Sequence, residues 1–175
     1  MYRILRRTLS PVVASAVVLL FTLPLAAGDH PDFSGTWRMN PDKSDAPPRM
    51  GGRGGNRGEG EQSGEISLIV SQVGETLNVV RKGGAGGRAE MALRPGAGAQ
   101  EVSTPRGQVT VEAHWDGHIL VVKQTRKLQT RRGEMKIEQE QKWELSEDGN
   151  TLTQRVKIKS RRGDSHFNLI FDKQG

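Results

Sequence analysis

The residue types that most often carry catalysis or bind metals are present in this chain, but their spacing matches no catalytic or metal-binding motif. His114 and His118 flank one predicted turn, HWDGH, and we interpret them as an exposed pair beside that turn rather than as shared metal ligands. Glu138, Glu140 and Glu144 alternate with lysines, which is typical of a solvated strand face. The chain has no cysteine and no G-x-S-x-G motif. We therefore predict no catalytic residue, no metal ligand and no cofactor.

A second group of polar side chains alternates with apolar ones. In EMKIEQEQKWEL (134–145), Gln139 and Gln141 share a face with Trp143, and in TLTQRVKIK (151–159) Gln154 shares a face with Val156. An unpaired buried amide costs about 1 to 3 kcal/mol. The face therefore lines a wet cavity, belongs to a partly covered open sheet, or packs with its amides bonded to one another. We predict that these five residues line a site for an amphipathic ligand.

The two segments form a predicted hairpin around the turn SEDGN. If Leu145 faces Leu152, both apolar sets stay on one side of the hairpin, and the residue numbers of every facing pair sum to 297. This register also places Glu140 opposite Lys157 on the outer face, a stabilising pair of opposite charges.

The same strand, turn and strand pattern occurs in ISLIVSQVGETLNVVRK and in QVTVEAHWDGHILVVKQTRK. Further strands are predicted at Ser34–Met39, Arg88–Arg94 and Ser165–Asp172, which makes about nine in all. No segment after residue 29 has a helical period. The predicted class is all-β, an antiparallel up-and-down meander folded into a barrel or a strongly curved open sheet.

The first 28 residues have the order of a secretory signal peptide. Three arginines precede an uncharged apolar run, and small residues at Ala26 and Gly28 suit cleavage before Asp29. The apolar run is too short for a spanning helix, so we predict no transmembrane segment after cleavage. The mature chain, 29–175, is predicted to be one β domain in the periplasm or the medium.

Glycine is concentrated at 49–64 and at 83–98, and both tracts are predicted to be loops. The first is similar to the arginine-glycine tracts of RNA-binding proteins. Glutamates offset its arginines, however, and it has no aromatic residue to stack on bases, so we predict no nucleic-acid partner.

The segment PDFSGTWRMNPDKS resembles the G-x-W entrance of lipocalins and fatty-acid-binding proteins, and it is similar to exported bacterial lipocalin-like proteins of unknown function. The resemblance implies a calycin-type barrel that Trp37 closes at one end, with Gly35 allowing tight packing. In lipocalins an arginine of the final strand stacks on this tryptophan, and the predicted strand Ser165–Asp172 contains none. The implied function is non-enzymatic binding of an amphipathic or hydrophobic small molecule. The alternative is a cell-envelope interaction protein that docks a partner through its sheet face or loops.

Overall fold

The computed structural model describes residues 30–46, 65–84, 87–104, 107–130, 133–161 and 163–175. The predicted signal peptide and the first glycine-rich tract, 49–64, lie outside the described residues. Within the described ranges, the chain forms no helix with the length and apolar character needed to cross a membrane.

The described chain forms one sheet of ten antiparallel strands, which confirms the predicted all-β meander. Each strand pairs with the next one along the chain, except that β4 and β5 do not pair and form the two edges of the sheet. The first strand, β1, also pairs with the last, β10. The strands are β1 (Gly35–Met39), β2 (Ser67–Val73), β3 (Thr76–Lys82), β4 (Ala89–Leu93), β5 (Gln100–Thr104), β6 (Gly107–Asp116), β7 (Ile119–Thr130), β8 (Gly133–Leu145), β9 (Thr151–Ser160) and β10 (Gly163–Gln174).

The sheet curls into a nearly closed barrel, because β4 approaches β6 across the gap between the two edges. The Gly96 amide donates to the Ala113 carbonyl oxygen at 2.9 Å. A second contact also crosses the gap, where Gln124 Nε2 of β7 lies 3.8 Å from Met91 Sδ of β4. The sequence left a barrel and a strongly curved open sheet as alternatives, and the chain forms the barrel, with a narrow gap between its edges.

The strand count of about nine is corrected to ten, because β5 was not predicted. Only Val102 in its sequence, QEVST, is apolar, so the segment has no alternation of apolar and polar residues. β4 confirms the strand predicted at Arg88–Arg94, and it lies inside the second glycine-rich tract.

The predicted hairpin register is confirmed in every pair from Glu138 with Lys159 to Leu145 with Leu152.

Along the strands, one residue in two points into the barrel, and these inward positions supply the hydrophobic core. The inner face of the sheet therefore contains most of the buried apolar residues.

One end of the barrel is filled by aromatic side chains, which we call the aromatic end: Phe33, Trp37, Trp115 and Trp143. Phe33 lies 5.9 Å from Trp115 and 6.1 Å from Trp143 between ring centroids. Trp37 is 0% exposed, and its Nε1 donates to the Phe33 carbonyl oxygen at 3.0 Å. His30 stacks on Trp115 at 4.3 Å.

A lysine lies over Trp37 where lipocalins have an arginine. β10 extends beyond its predicted end, and Lys173 Nζ lies 5.3 Å from the centre of the Trp37 ring, within range of a cation-π contact. Gly35 has a φ of 142°, and a Cβ at this position would lie 2.9 Å from Lys173 Cε. The backbone conformation thus favours glycine at this position of the G-x-W motif, whereas the flexible Lys173 side chain could move aside.

Candidate ligand-binding site

A row of amides crosses the inner wall that β7, β8 and β9 form. We call it the glutamine belt: Gln124, Gln139, Gln141 and Gln154. Gln124 faces Gln139 across the β7–β8 pair. Gln154 faces Trp143 across the β8–β9 pair. The belt therefore adjoins the aromatic end at Gln154 and extends away from it toward Gln124.

The five predicted site residues lie together on β8 and β9. Trp143, Gln154 and Val156 are buried, with 3, 5 and 4% of their surface exposed. Gln139 and Gln141 are half-buried. The structure thus groups the predicted residues on one patch of wall, and the fourth glutamine, Gln124, extends that patch onto β7.

The glutamines differ in whether their polar atoms have partners. Gln141 Oε1 accepts a hydrogen bond from Trp143 Nε1 at 2.9 Å, so the Gln141 carbonyl is satisfied within the chain. Gln154 Nε2 is buried and has no hydrogen-bond partner among the described residues. Because a buried, unpaired donor is destabilising, Gln154 is the glutamine of the belt that would gain most from a bound polar group.

Two inward-pointing arginines were not predicted. On β7, Arg126 follows Gln124 on the inner face and faces Ile137, and its buried Nε has no hydrogen-bond partner in the described part of the chain. On β3, Arg81 has the same parity as the buried Val79, and burial lowers the pKa of its guanidinium. Both arginines occupy alternate strand positions shared with buried residues, and this spacing was the available sign that they point inward. It was missed because arginines on strands are usually exposed.

Acidic side chains lie on the opposite face of the sheet. The inward positions of the ten strands, over the residues that the structure describes, hold no aspartate or glutamate. On the outer face, Lys136 Nζ lies 2.6 Å from Glu138 Oε1, and the hydrogen bond from Lys136 lowers the pKa of Glu138. The inner arginines therefore have no carboxylate from the described strands on their own side of the wall.

Two clefts open on the outside of β7–β10. The larger, about 340 Å³, lies between the outer side chains of β8 to β10, including Lys142, Arg155 and His166, and the segment after β1 at Asp45. The smaller, about 220 Å³, is lined mainly by outer-face residues of β7 to β9 such as Lys123, and Gln124 and Gln139 of the glutamine belt also border it. Both have mixed charge, and both are lined mainly by residues that point away from the glutamine belt.

Among the residues that the structure describes, no group of three or more histidine, aspartate or glutamate side chains is placed to hold a metal ion. His114 is half-buried, and His118 is exposed at the β6–β7 turn.

No family model matches the sequence, and no curated protein is similar to it. Solved structures are similar in fold. Fatty-acid-binding protein 1 of Echinococcus granulosus matches with a TM-score of 0.50 at 15% identity, over 82% of this chain and 98% of that chain. Zebrafish ileal bile acid-binding protein, in complex with cholic acid, matches with a TM-score of 0.52 at 12% identity, over 81% and 98%. The REP1-NXSQ fatty acid transporter matches with a TM-score of 0.50 at 9% identity, over 81% and 98%.

The likeness is one of fold. It covers almost the whole length of each of the three proteins, so it concerns the barrel as a unit rather than one hairpin. At identities of 9 to 15% it carries no site residue from those proteins to this chain. The case for a site in this chain therefore depends on its own inner wall.

Proposed function

We propose that this protein binds an amphipathic small molecule inside its barrel, against the wall formed by Gln139, Gln141, Trp143, Gln154 and Val156. The observation that carries the proposal is the buried Gln154 Nε2 without a partner among the described residues. A core selected only for stability would have an apolar side chain there, because the unpaired amide costs about 1 to 3 kcal/mol. A ligand with a polar group would satisfy the amide while its apolar part contacts Trp143 and Val156.

The fold supports the same conclusion. The similar structures are, by name, binding proteins or a transporter for fatty acids or bile acids, which are amphipathic molecules. Small barrels either fill their interior with side chains or hold one small ligand there, and the amides on the inner wall favour the second arrangement. We infer binding rather than catalysis as the function of the inner wall.

We also propose that binding takes place outside the cytoplasm. The support is the sequence of residues 1–28, with arginines, an apolar run and small residues in the order of a cleaved signal peptide. The ligand would then be a molecule of the periplasm or of the surrounding medium.

The proposal is tested by titration with N-phenyl-1-naphthylamine, a neutral probe whose emission rises in apolar surroundings. We expect saturable binding of one probe per chain. Val156→Phe, which points inward, should weaken this binding at least tenfold without unfolding the protein, because the new ring occupies ligand space. Lys157→Phe, on the outer face of the same strand, is the matched control and should leave binding unchanged.

The contrary result is an unmodified protein that shows no saturable binding, together with a Val156→Phe variant destabilised by about 1 to 3 kcal/mol, as overpacking of a filled core predicts. That result would favour the alternative, a protein that docks a partner. The observation in its favour is the exposed apolar pair on the outer face of β2, where Val73 is 69% and Ile69 is 37% exposed.

A further inference from the structure

We propose that cleavage of the signal peptide creates a Cu(II) site at the new amino terminus, with His30 as its side-chain ligand. This inference rests on the proposed export and cleavage. It adds a metal site that does not use the glutamine belt.

Cleavage brings an α-amine close to His30. A chain that begins at Asp29 has His30 as its second residue, and a cut one residue earlier makes it the third, in the order Gly28, Asp29, His30. In the uncleaved chain the α-amine belongs to Met1, far away along the sequence. The ligand set is therefore complete only in the processed protein.

The ligands are mainly nitrogens of the main chain. The α-amine, the main-chain nitrogen of His30 and the His30 Nδ1 are joined by short covalent paths, so they close small chelate rings around one ion. A start at Gly28 adds the main-chain nitrogen of Asp29. Cu(II) prefers such tetragonal sets of nitrogen ligands, and it binds them by displacing their protons. Pro31 has no amide hydrogen, so the chelate ends at His30.

The described residues hold His30 at the surface of the aromatic end. Phe33, which follows shortly after it, is 0% exposed, and its amide donates to Gln72 Oε1 at 3.2 Å. The His30 imidazole stacks on the Trp115 indole, with 4.3 Å between centroids and 8° between ring planes. Stacking occupies a face of the imidazole, whereas the lone pairs of its nitrogens lie in the ring plane. His30 can therefore bind a metal ion while it stays on Trp115.

The site has only one side-chain ligand, and this distinguishes it from a cluster of side chains. Among the described residues, no three histidine or acidic side chains are placed to hold a metal ion. The chain has no cysteine, whose thiolate would favour Cu(I). Nitrogen ligands favour the oxidised ion, Cu(II), which suits the oxidising periplasm or medium.

The test is a titration of the exported protein with copper sulfate, in the presence of nitrilotriacetate as a competing chelator. The amino terminus is first determined by sequencing. We expect one Cu(II) per chain and a saturable loss of tryptophan emission, because an ion on His30 lies beside the Trp115 indole. Trp115→Phe should keep the binding and lose most of this quenching. Zinc sulfate at equal concentration should not compete, because Zn(II) prefers a tetrahedral set of ligands.

Two variants separate the chelate from a lone imidazole. His30→Ala removes the side-chain ligand, and Ser-Gly-Ser inserted between Asp29 and His30 keeps the imidazole but moves the amine out of chelating distance. Each should weaken Cu(II) binding about a hundredfold or more, because linked ligands act together. The matched control is His118→Ala, which removes an exposed histidine just beyond Trp115 and should leave binding unchanged.

The outcomes separate the inference from the proposals on which it rests. Cu(II) binding that survives the insertion, or that is lost in His118→Ala, would assign the metal to surface histidines and overturn the amino-terminal site. No saturable Cu(II) binding by protein that starts at Gly28 or Asp29 would also overturn it, and would leave export and ligand binding in the barrel intact. If sequencing finds Met1, the cleavage proposal fails, and the inference fails with it.

Discussion

Replacing Gln154 with methionine should make the protein more stable and a poorer binder. Gln154 is 5% exposed, and its Nε2 has no partner in the described part of the chain. Methionine has nearly the same length and shape but no amide. Gln154→Met therefore removes the unpaired donor and changes the surrounding packing little.

The size of the effect follows from the cost of that donor. A buried donor without a partner costs about 1 to 3 kcal/mol, so the free energy of unfolding should rise by about that amount. The same substitution at Gln141 should have the opposite sign, because Gln141 Oε1 accepts the hydrogen bond from Trp143 Nε1 at 2.9 Å. Loss of that acceptor leaves the indole N–H unpaired, and we expect Gln141→Met to lower the free energy of unfolding by about 1 kcal/mol.

The assay is urea denaturation followed by tryptophan emission, on protein that has been unfolded, extracted to remove bound small molecules, and refolded. The slopes of the transitions should be equal, so that a change in midpoint reports a change in stability. The reasoning is refuted if Gln154→Met lowers the free energy of unfolding as much as Gln141→Met does. In that case the Gln154 amide is satisfied in the ligand-free protein, and it gives no support to a binding site.

Three further predictions concern the aromatic end, pH and export. Trp37→Ala should lower the free energy of unfolding by about 3 to 5 kcal/mol in the same urea assay, and an unchanged midpoint would show that the ring is not packed in the core. Hydrogen bonds from Asn40 and then Lys43 lower the pKa of Asp172, so its stabilisation is present at neutral pH and is lost as the pH falls below about 4. Melting temperatures of the unmodified protein and of Asp172→Asn should therefore differ at pH 7 and converge at low pH, and a gap that widens in acid would contradict this. N-terminal sequencing of the exported protein should begin at or next to Asp29, whereas a start at the initiator methionine would disprove cleavage.

Much of the fold follows from local patterns in the sequence. The register of β8 and β9 could be predicted because long strands alternate apolar residues with charges, and a shift by one residue would turn Trp143 toward solvent. β5 could not be predicted because it contains only one apolar residue, Val102, and so shows no alternation of apolar and polar side chains. It lies at an edge of the sheet, where less of a strand is buried. Closure of the barrel depends on contacts across the gap, such as Gln124 with Met91, which no local pattern contains.

The candidate site was predictable as a face but not in its detail. Period-two alternation placed Gln139, Gln141 and Gln154 on the inner face, but it could not show which amide would have a partner. That depends on the side-chain conformation that brings Gln141 to the Trp143 indole. The arginines were missed for a related reason, since a basic residue on a strand is solvated or buried according to the curvature of the whole sheet, as Arg126 shows.

The central claim, that an amphipathic molecule binds against the inner wall, is tested most directly by NMR of ¹⁵N-labelled protein titrated with N-phenyl-1-naphthylamine. The signals to follow are the Trp143 indole N–H and the Gln154 side-chain amide, with Gln108, exposed on the outside of β6, as the internal control. We expect the Trp143 and Gln154 signals to shift with a common saturation curve while Gln108 stays constant. Shifts confined to outer-face residues, or no saturable shift of Trp143 and Gln154, would contradict binding inside the barrel.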